Sequence, residues 1–480
     1  MQVYLCEAKV QLYPGGIIIF GMKARIVIGI VILVLIVATG LTISAWRMRP
    51  DLGVVYPAPG QENVPSTSPI RLVFSRPMRS DSVIERLKVE PLVDGSFTWD
   101  QNTLVFVPQS LWPEGEEIRL QMEAGARAEN WLAFPMGGLT WTFTTSESYL
   151  AYLWPSDGPA ELYALNPVTG DIQQLTHGLG VLEYSVSTDG TRIYYSASNA
   201  QGGSDLYQLD RMQAAALGVE YQPEKLHDCG LAQCRSPAVS YDGKYLAYEY
   251  LESAGEGGLN PAQIWTLRLP SLAVSAVGEA THETVQPAWA SSGWLAYYDR
   301  TSSNYEMINP QTQARLEFPN QTGQPGSWSS DGLVYLAPEI SYQPSAANTE
   351  TATSHLLRYN LQSKAVVDLS PADAVEDVEG TYSPDGGWIT FARKYLDERR
   401  WSLGRQIWVM SSGGSDPHAI TDAPDYNHYD LAWSLDSLKI AYVRFNQAKL
   451  SDPPELWMMN ADGSEPIELV VGGYSPVWIP

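Results

Sequence analysis

From residue 149 to the C-terminus, apolar and polar positions alternate in short runs separated by turn-forming residues. Period-two alternation is the mark of strands with one buried face. One turn keeps returning, a Ser-x-Asp-Gly phrase followed by an alternating run. The copies are VSTDGTRIYYSA (186–197), VSYDGKYLAYEY (239–250), WASSGWLAYYDR (289–300), WSSDGLVYLA (328–337), YSPDGGWITFAR (382–393) and WSLDSLKIAYVR (433–444). The Asp, or its substitute, falls at 189, 242, 292, 331, 385 and 436, a period of 39–54 residues. Gly accepts the positive φ of a tight turn, and an Asp carboxylate can bond the backbone two residues on.

Each copy parses into four strands. The first ends in an aromatic residue (Trp289, Trp328, Tyr382, Trp433), and the second follows the Asp-Gly turn. The third recurs as DLYQLD (205–210), QIWTLRL (263–269), NYEMIN (304–309), HLLRYNL (355–361), QIWVMS (406–411) and ELWMMN (455–460), and the fourth is short, as in QQLTH (173–177) and HAITD (418–422). A period of this length belongs to propeller blades rather than helical solenoids. Three strands (149–154, 161–166 and 171–176) stand before the first complete copy without a first strand, and a lone strand, SPVWIP (475–480), stands after the last. Pairing the two ends closes a ring and removes the exposed sheet edges. The expectation is a seven-bladed propeller over 149–480, six blades complete and one shared between the termini. YSPDGGWITFAR and LWMMNADGSEPIEL (456–469) resemble the TolB-type, WD-repeat-like propeller repeat. That resemblance implies fold and carries little about activity, because such repeats serve translocation scaffolds, surface proteins and peptidase lids alike. A peptidase of the prolyl-oligopeptidase type would add a hydrolase domain with a Gly-x-Ser-x-Gly elbow, and that motif does not occur here. TolB is soluble and six-bladed, so its partners do not transfer.

The pattern differs upstream. Residues 26–46 (IVIGIVILVLIVATGLTISAW) run 21 positions without a charge, enough for a helix to cross a hydrocarbon core of roughly 30 Å. A transmembrane anchor is expected there, behind a cytoplasmic tail of 1–25 in which 1–21 precede a second candidate start, Met22. A cleaved signal peptide is the alternative, although the run exceeds the usual apolar core of one. Lys23 and Arg25 before the run balance Arg47 and Arg49 after it, and Lys9 tips the N-terminus toward the cytoplasm. Residues 54–146 carry strands split by Pro, Gly and Asn, which reads as a small antiparallel sandwich. PAPGQENVPSTSPIRLVFSRPM (57–78) and the closing TWTFTT (140–145) resemble a bacterial Ig-like domain, which implies a spacer or adhesion module. The whole is thus expected to be all-β apart from one N-terminal transmembrane helix.

Composition fits an exported protein. Thirty Lys and Arg against 54 Asp and Glu leave a net charge of −24, which disfavours nucleic acid, whose binding depends on neutralising phosphates. Of three cysteines, Cys6 precedes the apolar run, whereas Cys229 and Cys234 share one loop. In an oxidising compartment the latter two are expected to form a disulfide, with unpaired thiols as the alternative. His227 and Asp228 beside them make only a weak metal constellation. The six His (177, 227, 282, 355, 418, 428) show no paired zinc spacing.

In a propeller, the connections from second to third strand and from one blade to the next share one face. The longest connections fall there: 251–262, 339–354, 394–404 and 446–454. Elaborated loops over a rigid ring are a common layout for binding. The candidate binding residues on this face are Tyr342, Tyr395, Arg399, Arg400, Trp401, Asp425, Tyr426, His428 and Tyr429, because cation–aromatic clusters are enriched in interface hot spots. Acidic residues in TDAPDYNHYD (421–430) and PADAVEDVEG (371–380), among them Asp422, Asp430, Asp373, Glu376, Asp377 and Glu379, could hold Ca²⁺. The alternative is a solvated acidic face with no cofactor. The expected function is non-catalytic binding of a protein, peptide or glycan at the cell envelope. The rivals are a polysaccharide lyase or hydrolase using His428, Tyr429 and Asp425, and a purely structural envelope component.

Overall fold

The computed structural model describes residues 22–130, 134–255, 258–344, 350–370 and 374–480. The tail 1–21, with Cys6 and Lys9, and Asp373 lie outside them. Met22–Arg47 is a single helix. Its stretch from Ile26 is long and apolar enough to cross a membrane, and its apolar side chains are exposed.

The chain divides into two compact units, which part near residue 145. Within the first, a four-stranded sheet (Leu52–Tyr56, Ile70–Phe74, Thr103–Pro108, Gly95–Asp100) and a three-stranded sheet (Leu87–Glu90, Glu117–Met122, Leu139–Thr144) form the Ig-like sandwich. Alternation builds the core: Ile118, Leu120 and Met122 are fully buried while Glu117, Arg119 and Gln121 are exposed. Trp112, 1% exposed, sits edge-on to Phe143 and donates its indole N–H to Ser68 O at 2.8 Å. The bond spares this indole the cost of an unpaired polar group in an apolar core.

The second unit is the propeller. Among the described residues its strands group into seven four-stranded antiparallel blades. Blade 1 combines Tyr149–Trp154, Glu161–Leu165 and Ile172–Gln174 with the C-terminal strand Tyr474–Ile479. Trp478 pairs with Leu150 and Ile479 with Tyr149, so the terminal strand closes the ring as the sequence pattern predicts. Blade 2 covers Val181–His227, blade 3 Gln233–Ala276, blade 4 Thr284–Pro319, blade 5 Ser327–Asp368, blade 6 Val375–Ala419 and blade 7 Tyr426–Val471. The connection inside blade 2 holds a short helix, Arg211–Leu217, capped by the Asp210 carboxylate, which accepts the Gln213 N–H.

The recurring motif explains itself locally. In blades 2, 3, 5, 6 and 7 the turn Ser donates its hydroxyl to the turn Asp, as in Ser187 to Asp189 at 2.6 Å and Ser329 to Asp331 at 2.6 Å. The Asp then accepts the N–H two residues on. Gly190 takes φ 66° at this turn, and a Cβ there would lie 2.6 Å from the Pro480 carbonyl, where the C-terminus packs.

Two further devices lock blade to blade. The aromatic that ends a first strand reaches the preceding blade: Trp328, Trp433 and Trp478 donate their indole N–H to Ala288 O, Thr381 O and Ala432 O. Several first strands also carry a bulge residue at positive φ, namely Ser236, Gln286, Glu379, Asp430 and Ser475. A bulge frees its N–H from the ladder, and carboxylates of the preceding blade take these donors. Glu183 accepts the Ser236 N–H at 2.5 Å, Glu249 that of Gln286 at 2.8 Å, Glu379 that of Asp430 at 2.7 Å, and Asp430 that of Ser475 at 3.1 Å.

Candidate binding site on the propeller

Three segments whose composition predicts loops are partly strand. The strands Val334–Pro344 and Glu350–Asn360 form one long hairpin through the 339–354 segment, with Tyr342 paired to Ala352. Cross-strand pairing continues from Val334↔Asn360 out to Pro344↔Glu350 and overrides the loop-like Ser and Pro content there. Tyr342 is 57% exposed on this hairpin, apart from the other candidates. The segments 371–380 and 421–430 likewise become innermost strands from Val375 and Tyr426.

Four candidates do come together. Tyr395 ends the second strand of blade 6, and the 394–404 connection folds back so that Tyr395 bridges Trp401. The Arg400 guanidinium lies 3.9 Å from the Tyr395 ring centre and donates from Nε to Asp397 at 2.7 Å. Lys394 Nζ lies 4.8 Å from the Trp401 ring centre and donates to Leu403 O. Tyr395, Arg399, Arg400 and Trp401, with Trp408 and Asp422, line an open cleft of about 700 Å³. Trp401 remains 55% exposed and Arg399 is exposed. Cation–aromatic contacts of this kind contribute about 0.5–2 kcal/mol each, so the connection is ordered by its own side chains while its rings and cations face solvent.

The remaining candidates are dispersed in blade 7. Tyr426 stacks on the Arg444 guanidinium, 4.2 Å from its ring centre, which lies 3.8 Å from the Trp457 ring centre on its other contact and bonds Glu455 at 2.8 Å. His428 is 1% exposed, and its Nδ1 bonds Arg405 O at 2.7 Å. Burial pulls its pKa down to about 4, with Arg444 adding to the effect and the carbonyl bond opposing it. Tyr429, the next residue along the strand, packs edge-on to Phe445, and Asp425 is exposed. An acid–base set of His428, Tyr429 and Asp425 therefore does not form: successive strand residues point to opposite sides, and the imidazole is sealed from solvent.

Among the described residues the candidate carboxylates are engaged with separate partners. Asp377 is fully buried and paired with Arg393 through two 2.6 Å bonds. Glu376 pairs with Arg405, while Glu379 and Asp430 accept backbone N–H groups of the next blade. Burial, then Asp430, raise Glu379 to about 7, and burial raises Asp430 as well. Cys229 and Cys234 form a disulfide with Cα atoms 6.3 Å apart. They stand near His227, but bonded sulfurs offer no thiolate to a metal. Sequence reasoning missed Arg393 and Arg444; the signal was the repeated Arg at the sixth position of the second strand, two blades running.

Residues 47–145 match the family model of the bacterial Ig-like domain. No curated protein matches the chain in sequence. Among solved structures the chain is similar to TolB from Acinetobacter baumannii at 12% identity, over 82% of this chain and 83% of that one, with a TM-score of 0.42. It is also similar to a putative TolB from Agrobacterium tumefaciens (18% identity, 68% and 91% covered, TM-score 0.38). A third is the β-propeller domain of the Trilobed protease from Pyrococcus furiosus (12% identity, 60% and 84% covered, TM-score 0.44). The blade count and ring closure rest on the strand pairing itself.

Proposed function

We propose that this chain is a membrane-anchored, extracytoplasmic binding protein whose propeller captures a peptide or glycan without chemistry of its own. The helix beginning at Met22 anchors it, the Ig-like unit serves as spacer, and the long-loop face of blade 6 receives the ligand. The observation that carries this reading is the gathering of Tyr395, Arg399, Arg400 and Trp401 on one open cleft of about 700 Å³. Aromatic faces and guanidinium groups are the side chains that most often anchor interfaces. The Cys229–Cys234 disulfide, where blade 2 passes into blade 3, fits an oxidising compartment.

The test is a screen of the full chain in lipid nanodiscs against peptide and glycan arrays, repeated with the double variant R400A/W401A. The expected result is loss of the retained ligands by a variant that still melts cooperatively. A variant that keeps every ligand of the parent, or a parent that converts a retained ligand into product, overturns the reading.

A further inference from the structure

Where blade 2 passes into blade 3, the chain brings two sulfurs and an imidazole together. His227 ends the outer strand Glu224–His227 of blade 2, and Cys234 is the second residue of Gln233–Val239, the first strand of blade 3. Cys229 stands on the connection between them. The ligand atoms of His227, Cys229 and Cys234 all lie within 4.8 Å of one another. The disulfide occupies both sulfurs, yet the connection is also held by bonds that do not involve them. The buried Asp205 carboxylate accepts the Cys229 N–H at 3.0 Å, and the Asn199 amide donates to Gly230 O at 2.8 Å. Ser204 Oγ accepts the Cys234 N–H at 3.0 Å and donates to Cys234 O at 2.8 Å. The Ala232 N–H donates to Cys229 O across the turn. Breaking the sulfur–sulfur bond therefore leaves two thiols side by side instead of releasing a loose loop. The His227 ring is partly exposed and, among the described residues, makes no hydrogen bond; the Tyr248 ring is centred 6.0 Å away.

Two thiolates and an imidazole suit a borderline-soft divalent cation, and zinc binds such ligands in tetrahedral geometry. We propose that reduction of Cys229–Cys234 turns this junction into a zinc site formed by His227, Cys229 and Cys234, with water in the fourth position. The reductant is a dithiol: its two sulfurs join in a disulfide, the Cys229–Cys234 bond breaks, and each cysteine gains one electron and one proton. Zinc then displaces both thiol protons and takes the imidazole lone pair. Bonds of about 2.0–2.3 Å in a tetrahedron need donor atoms about 3.3–3.8 Å apart, so the sulfurs part and the imidazole approaches by side-chain rotation. Cys234 is fully buried while Cys229 and His227 are partly exposed, so the ion enters from their side. The junction thus carries a covalent clasp under oxidising conditions and a metal clasp under reducing ones.

The experiment uses the full chain in nanodiscs with the substitution C6S, which leaves Cys229 and Cys234 as its only cysteines. One sample is kept oxidised, and another is reduced with a phosphine and freed of it anaerobically. Both are titrated with Co²⁺, a spectroscopic stand-in, and then with Zn²⁺. The reduced chain is expected to take up a single ion, to show a thiolate-to-cobalt charge-transfer band that zinc abolishes, and to release about two protons per zinc. The oxidised chain should do none of these. H227A keeps both thiols and should weaken zinc by about tenfold or more, since losing even a group that merely supports a ligand costs that much. Should H227A fail to melt cooperatively, H227Q serves in its place with the same expectation. Loss of cooperative melting on reduction alone overturns the proposal, because the connection would then depend on the disulfide. So does equal uptake by oxidised and reduced chains, uptake by neither, or a zinc affinity that loss of His227 leaves unchanged.

Discussion

Blades 6 and 7 carry the same device in two settings. Arg393 and Arg444 occupy equivalent places in their second strands, opposite Gln406 and Glu455, and each lies over the third-strand tryptophan, Trp408 or Trp457. What differs is the source of the carboxylate. In blade 6 it is Asp377 on the innermost strand, paired across from Arg393, and both side chains are at most 3% exposed. In blade 7 the equivalent inner position is His428, and the carboxylate has moved outward to Glu455, leaving the pair about a fifth exposed. A neutral, buried imidazole next to Arg444 avoids a second cation there. The lesson is that one stack serves as a core strut when its anion lies inward and as a near-surface brace when it lies outward.

The difference can be broken by removing the anions. D377A strands a guanidinium in the core, and losing one partner of a buried pair costs about 3–5 kcal/mol. E455A leaves Arg444 and the Trp457 N–H, which Glu455 also accepts at 2.8 Å, partly within reach of water, so a smaller loss of about 1–2 kcal/mol is expected. Chemical unfolding of the two variants side by side is the measurement. Similar losses would mean that the inward and outward positions are energetically alike. The double variant D377L/R393M should recover most of what D377A loses, because an apolar pair of similar bulk suffers no stranded charge.

The junction between the two blades offers a smaller effect. Glu379 accepts the Asp430 N–H, and burial and Asp430 raise its pKa to about 7 while Arg405 opposes them. A carboxyl whose folded pKa exceeds its unfolded value binds more protons when folded. Its contribution therefore favours folding at low pH and is lost as pH rises from about 4.5 to about 7. Buried His428 works in the opposite sense, losing stability as pH falls below its unfolded value, so the comparison must be between variants. E379Q keeps an acceptor for Asp430 and is expected to exceed the parent by about 1–2 kcal/mol at pH 8 and to match it near pH 5. A gap between E379Q and parent that does not change with pH would show that Glu379 carries no such burden.

Much of this architecture is local and hence readable in the chain. The Asp-Gly turns, the aromatics that bridge blades, and the closing strand at Trp478 depend on residues within one or two turns of each other, or on a repeat that announces their partners. The 339–354 hairpin was not readable, because its Ser, Thr and Pro content resembles a loop while its pairing is set by the facing strand. The candidate site was legible only in its cationic–aromatic part, since Tyr395, Arg399, Arg400 and Trp401 are neighbours in sequence. His428 looked reactive because nothing local reveals that Arg405 O and Tyr442 enclose it. Arg235 and Gln286 line one cleft from first strands of different blades, and no spacing rule foretells that.

The finest distinction between the two blades lies at their turns. Blade 6 has Gly386 at φ 73°, where blade 7 has Ser437 at φ 62°. A non-glycine residue in this region costs about 1–2 kcal/mol, so its retention asks for compensation. The Ser437 hydroxyl accepts the Asp385 N–H from the blade 6 turn at 3.1 Å, a link that glycine cannot make. S437G relieves the backbone and forfeits that bond, worth about 1 kcal/mol, so the two changes should nearly cancel. S437A keeps the strain and forfeits the bond, and is expected to lose about 1 kcal/mol. The informative quantity is the gap between the two melting curves. With no gap, relief of strain would be worth nothing at this turn, and the serine would stand there for a reason other than tying blade 7 to blade 6.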